Sequence, residues 1–221
     1  MSRSERYREP FIVGIVGKSD TGKTTLILKL VPELARRGYR VAVVKDCPHG
    51  FHIDREGKDS WRFSQAGSQG VLLSSEDRFA LIRTKGKEDT HKTVELITSL
   101  FFGFDLVLVE GYKSLAELAK IEILRRGISE HMNDSLGGVI AVISDFELVT
   151  DKPLFKPEEV GRIVDFLEQN MEKMEKVDKD RNVEIIINGK KLPVNHFVKR
   201  IVENVVLAVV EPLKRKEGQE A

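Results

Sequence analysis

The chain has 221 residues, and its 36 Lys and Arg against 35 Asp and Glu leave a net charge of +1, which excludes the basic footprint of a nucleic-acid binder. One cysteine, Cys47, excludes an internal disulfide and fits a reducing compartment. No apolar run approaches the ~20 residues of a membrane span, and Met1 to Pro10 is too polar for a secretory signal, so a cytoplasmic protein is expected, without a membrane or nucleic-acid partner.

Phe11-Ile12-Val13-Gly14-Ile15-Val16 reads as a strand. It runs directly into Gly17, Lys18, Ser19, Asp20, Thr21, Gly22, Lys23 and Thr24, which spell GxxxxGKT, and then into the helical run that begins at Thr25. Strand, glycine loop and helix in that order form the context of a phosphate-binding loop. Backbone N–H groups make a nest for phosphate, and the helix N-terminus adds its positive dipole. Lys23 reaches the β- and γ-phosphates, and the Thr24 hydroxyl ligates Mg²⁺. The chain therefore binds a nucleoside triphosphate.

Gly38 stops the first helix, and Arg40 to Lys45 reads as a buried strand. A polar loop from Asp46 to Gly57 precedes a helix over Lys58–Ala66. Gly70–Ser74 and Phe79–Arg83 are short strands about a turn, and Thr90–Phe101 has helical apolar spacing. Phe104 to Gly111 is a continuous apolar run closed by Glu110, as a central parallel strand requires. Two more strands follow over Lys120–Leu124 and Gly138–Ile143, then a helix from Pro157 to about Met174. This alternation predicts an α/β fold with a doubly wound, mostly parallel sheet of the P-loop NTPase type. The expected organisation is a nucleotide-binding domain over residues 1–174, a charged linker over 175–182 and a small extension over 183–221. In that extension Val183–Ile187 and Asn188-Gly189 signal a hairpin, and His196–Val210 an apolar-striped helix.

Several of these motifs together resemble the molybdopterin-guanine dinucleotide biosynthesis protein B family. They are GxxxxGKTT, Val44-Lys45, Asp54 to Ser60, Gln65-Ala66-Gly67, Leu108-Val109-Glu110-Gly111-Tyr112-Lys113 and Ala119-Lys120-Ile121-Glu122. The likeness covers about Pro10 to Leu167. It implies a GTP-binding, weakly hydrolysing, Mg²⁺-dependent homodimer. Such a protein assists a guanylyltransferase partner in joining GMP to molybdopterin, with molybdopterin itself as a further ligand. The histidine-rich run expected after Val-Lys is replaced here by Lys45-Asp46-Cys47-Pro48-His49-Gly50-Phe51-His52.

The candidate residues follow from this frame. Glu110 ends the most apolar strand, where a carboxylate is costly unless it faces a site, so it reads as the catalytic, water-orienting and Mg²⁺-organising group. Asp46 reads either as a second Mg²⁺ carboxylate or as a turn-capping side chain. Asp145, at the end of a strand, is placed to accept from guanine N1 and N2. Thr25 completes the nucleotide-binding stretch, and the Lys18 side chain reads as an exposed surface lysine. Asp105, at the start of its strand, reads as structural. Cys47, His49 and His52 are potential Zn²⁺ or Ni²⁺ ligands, too few in one chain for a closed site, with a solvated loop as the competing account. Asp54, Arg55, Lys58 and Asp59 read either as a partner-binding constellation or as a capping network. A metal-delivering GTPase and a small-molecule kinase are the competing functions on this fold.

Overall fold

Strand β1 (Phe11–Val16) lies at the centre of a six-stranded sheet, because its apolar residues are covered from both sides: Val13, Ile15 and Val16 are wholly buried. The computed structural model describes residues 9–84, 93–180, 185–187, 189–191, 201–202 and 205–206. In chain order β1 is followed by helix α1 (Lys23–Arg36), β2 (Val41–Lys45), α2 (Asp59–Gln65), the pair β3 (Gly70–Ser74) and β4 (Phe79–Arg83), and α3 (Thr93–Leu100). Then come β5 (Leu106–Glu110), β6 (Ala119–Leu124), β7 (Val139–Ser144), β8 (Leu154–Phe155), α4 (Val160–Asp180), β9 (Ile186–Ile187) and β10 (Lys190–Lys191).

The sheet order is β2-β5-β1-β6-β7-β8. Pairings of β1 with β5 and β6, of β6 with β7, and of β7 with β8 are all parallel. The order therefore reverses at β1, and crevices at such switch points, outside the carboxyl ends of strands, bind ligands. The doubly wound α/β expectation holds.

Alternation along the strands divides the sheet into two faces. Val13, Ile15, Ile121, Ile123, Ala141 and Ile143 pack with Leu26, Ile27, Leu30 and Leu34 of α1 and with Ile163, Val164 and Leu167 of α4. Between those two helices the Arg37 guanidinium donates to Glu33, Asp165 and Glu168. Donation from Arg36 and Arg37 lowers the Glu33 carboxyl to about 2. On the other face Lys120 is fully buried and Glu122 nearly so.

Some elements differ from the sequence expectation. β2 was expected to be buried but is an edge strand, with Val43 45% exposed, because sheet order is set by distant pairings. β3 and β4 form an antiparallel hairpin of their own, outside the main sheet. β8 is a two-residue strand without a periodic signal. α4 continues to Asp180, since the Glu and Lys residues that read as a linker are also good helix formers. Asp105 accepts the Arg40 N–H at 2.7 Å, the structural part expected of it.

By its internal packing the chain divides into two units, one comprising Met1–Val44 and Phe101–Ala221 and the other Lys45–Leu100, a boundary that falls within the stretch 1–174. In the tail, β9 and β10 pair antiparallel through Ile187 and Lys190, as the hairpin signal required. Residues 201–202 and 205–206 are helical, and the rest of the expected tail helix lies outside the described residues.

Candidate functional site

The phosphate loop leaves the end of β1 between two carboxylates. The register sets Ile15 opposite Glu110 of β5 and Val16 opposite Glu122 of β6. Gly17 is needed at the root of the loop, since a Cβ there would lie 2.7 Å from the Ile123 carbonyl oxygen and 2.8 Å from Thr21 Oγ1. Asp20 (φ 62°) and Gly22 (φ 95°) take the left-handed conformation, which turns successive N–H groups inward as an anion nest. Aspartate adopts that region more readily than most side chains. The Asp20 carbonyl accepts from Arg125 at 3.2 Å, and the Thr21 hydroxyl donates to the Lys18 carbonyl at 3.0 Å.

Gly22 caps α1 without a side-chain hydrogen bond, and no acidic residue stands in the first helical turn. The N–H groups at this end of the helix therefore stay available to an anion. Lys23 Nζ donates to the carbonyls of Lys18 (2.6 Å) and Gly17 (3.4 Å), which holds the ammonium over the loop. Thr24 Oγ1 lies 2.9 Å from both carboxylate oxygens of Glu110, so its single proton is shared between them. This donor set fits a triphosphate with Mg²⁺. The nest, the uncapped helix and Lys23 supply positive charge, while a hydroxyl and a carboxylate face each other as hard oxygen ligands. Ser19 and Thr25 are exposed on the loop and the first helical turn.

Two clefts open beside the loop. The smaller, about 210 Å³, runs from Thr21, Gly22 and Thr25 past Lys29 to Asp145 at the end of β7. Asp145 Oδ1 accepts the Arg126 N–H at 2.9 Å, which fixes the carboxylate in this cleft. The larger, about 570 Å³, is lined by Gly17, Lys18, Lys113, Glu122 and the loop that follows β6. Lys18 is exposed, as expected, and donates to the Ile128 carbonyl at 3.4 Å.

Asp46 follows β2 directly and lies in the second unit, which begins at Lys45 and to which Cys47, His49 and His52 also belong. Among the described residues no three His, Cys, Asp or Glu side chains converge to hold a metal ion. Asp54 accepts from the Ser60 hydroxyl and the Arg55 N–H, both at 2.8 Å, in a local hydrogen-bond network, and helix α2 has no side-chain cap. Glu122 escaped the sequence reading as a site residue. The alternation in Lys120-Ile121-Glu122-Ile123 places the two ions on one face of the sheet, but by sequence that face reads as the solvent side, and its burial is seen only in the structure.

Comparison with known proteins gives a consistent result. The family model described as molybdopterin guanine dinucleotide synthesis protein B matches residues 12–145. The molybdopterin-guanine dinucleotide biosynthesis adapter protein of Haemophilus influenzae is 38% identical over 161 residues, covering 71% of this chain and 87% of its own. A putative adapter protein of the same description from Methanocaldococcus jannaschii is 24% identical over 221 residues and covers 92% of each chain, so that match extends into the tail. A crystal structure of molybdopterin-guanine biosynthesis protein B superposes with a TM-score of 0.56 at 30% identity, over 72% of this chain and 98% of that one.

Proposed function

The chain belongs to the molybdopterin guanine dinucleotide synthesis protein B family, and on that premise we propose that it is a GTP-binding adapter of molybdenum cofactor assembly. In this reading it holds GTP with Mg²⁺ while a guanylyltransferase partner joins GMP to molybdopterin. The observation that carries the reading is the continuous path from the phosphate loop through Thr21 and Gly22 to Asp145, sized for a base.

Each residue has a defined task there. The loop N–H groups and Lys23 bind the phosphates, and Thr24 with Glu110 would hold the metal. A Mg²⁺ ion held by these two side chains would supply charge that offsets the phosphates. Asp145 accepts the N1 and N2 protons of guanine and repels the N1 lone pair of adenine. Any turnover is that of a slow intrinsic GTPase, with Glu110 orienting the water. Calorimetric titration of GTP and ATP tests the assignment. GTP should bind at least tenfold more tightly, and the preference should collapse in Asp145→Asn; equal affinities in the wild type would defeat the guanine assignment.

We further propose a homodimer through the β3–β4 hairpin. Its register sets Leu72 opposite Leu81 and Ser74 opposite Phe79 on one face. Leu72, Leu81 and Phe79 are all more than half exposed, an apolar stripe that water disfavours. Sedimentation velocity should show a dimer for the wild type and a monomer for Phe79→Asp. A dimer in that variant would place the interface elsewhere. No helix among the described residues is long and apolar enough to cross a membrane.

A further inference from the structure

Strand β6 carries two buried ions on the face turned away from α1 and α4, and only one of them is accounted for by the fold. Lys120 donates from Nζ to the carbonyls of Leu115 (2.5 Å) and Gly137 (2.7 Å), and so ties together the segments on either side of β6. Gly14 makes room for the neighbouring Leu118, since a Cβ there would lie 2.9 Å from Leu118 Cδ2, while at 3.5 Å from Lys120 Cγ it would be in ordinary contact. Glu122 is different. It is 3% exposed, yet among the described residues its two oxygens share one backbone donor, the Asn133 N–H, at 3.1 and 3.4 Å.

A buried carboxylate with four lone-pair positions and one donor is costly. Burial pushes the Glu122 carboxyl above its ordinary value, while the Asn133 N–H and the Lys113 charge pull it back and Asp134 adds to the rise. The same carboxylate lines the larger cleft, about 570 Å³, together with Lys18 and Lys113. That volume exceeds what one ion or a few waters need and lies within the range of small-molecule sites. The cleft also shares no lining residue with the Asp145 cleft. On β6 the larger cleft is lined by Glu122 and the smaller by Ile123 and Leu124, so the two clefts meet the carboxyl end of that strand through different residues.

We infer that the larger cleft is a second ligand site, which takes a fused 2-amino-4-oxopyrimidine of the pterin class by its paired N–H edge on Glu122, with an anionic group of that ligand facing Lys18 and Lys113. A carboxylate accepts the ring N–H and the amino N–H side by side, a match no neutral side chain reproduces. The inference rests on the adapter reading, which places a nucleotide and a pterin in one reaction. Lys18 and Gly17 belong both to this cleft and to the phosphate loop, so the pterin sits beside the nucleotide phosphates without occupying the guanine cleft.

Pterin-6-carboxylate, which is fluorescent, carries both the paired N–H edge and an anion, and serves as the probe. Titrated into the full chain, it should bind once per chain, with the same affinity when the guanine site is saturated with a non-hydrolysable GTP analogue and Mg²⁺. Lumazine-6-carboxylate, which has an oxygen in place of the 2-amino group, should bind at least tenfold more weakly. Glu122→Gln should weaken the probe at least tenfold, and Leu136→Trp, which fills the cleft from its rim, should do the same while leaving β6 untouched. Calorimetry on the same samples should find GTP affinity unchanged in both variants. Displacement of the probe by the GTP analogue, undiminished binding to both variants, or no binding at millimolar probe with GTP binding intact would overturn the second site alone. Failure of the wild type to bind GTP would overturn the nucleotide reading and this inference with it.

Discussion

Lys23→Ala abolishes nucleotide binding and leaves the fold in place. In the present structure the ammonium is held over the loop by the carbonyls of Lys18 and Gly17, so the charge is positioned before any ligand arrives. A hydrogen bond to a charged group contributes about 1.5–3 kcal/mol. Removing Lys23 removes at least two such contacts to the β- and γ-phosphates and leaves their charge poorly compensated. The sum corresponds to a loss on the order of 100-fold or more. Lys23 itself is only half buried, and the helix behind it is anchored by Leu26, Ile27, Leu30 and Leu34. The melting temperature should therefore move by no more than a few degrees. Calorimetry should detect no GTP binding at millimolar nucleotide. Unchanged affinity would remove the central claim.

The legible parts of this protein are those whose signal is local. GxxxxGKT between a strand and a helix specifies its own geometry, because each glycine answers a contact or a backbone angle within a few residues. The apolar run closed by Glu110 was legible for a similar reason, since only a strand covered on both faces tolerates Leu106 to Val109 without interruption. What the sequence hid depends on partners far along the chain. The edge position of β2 follows from which strand pairs with β5, and nothing in Val41–Lys45 records it. The charged run after Met174 reads as a linker by charge and as helix by propensity, and the fold resolves it as helix to Asp180.

Glu122 was hidden differently. In Lys120-Ile121-Glu122-Ile123 the two ions look like the solvent face of an ordinary half-buried strand. That face is indoors because the segments before and after β6 reach it, Leu115 and Gly137 holding Lys120 and Asn133 holding Glu122, and nothing within those four residues records this. Cys47-Pro48-His49 is the converse case, a conspicuous local pattern around which no third ligand gathers among the described residues. Conspicuous spacing is weaker evidence than burial.

Glu110→Gln should leave GTP bound but slow its hydrolysis about 100-fold, within the range general acid–base or water-orienting groups contribute. The carboxylate receives the Thr24 hydroxyl at 2.9 Å to each oxygen, at the end of a strand whose preceding residues are wholly buried. Glutamine preserves the shape and one acceptor oxygen, so Thr24 keeps a partner and the β5–loop contact survives. It loses the negative charge and replaces an acceptor with a donor. A neutral amide attracts the metal less, and its NH₂ group points a donor where a water proton should be accepted. Binding depends mainly on Lys23 and the loop N–H groups, so GTP affinity should stay within about threefold of wild type, while phosphate release in a single turnover should slow by the full factor. Those two readouts separate the alternatives. If hydrolysis matches wild type, Glu110 is a structural clasp on Thr24 and the water is oriented by another group. If binding and hydrolysis fall together, the carboxylate acts by holding Thr24 and the metal in the ground state rather than in the transition state.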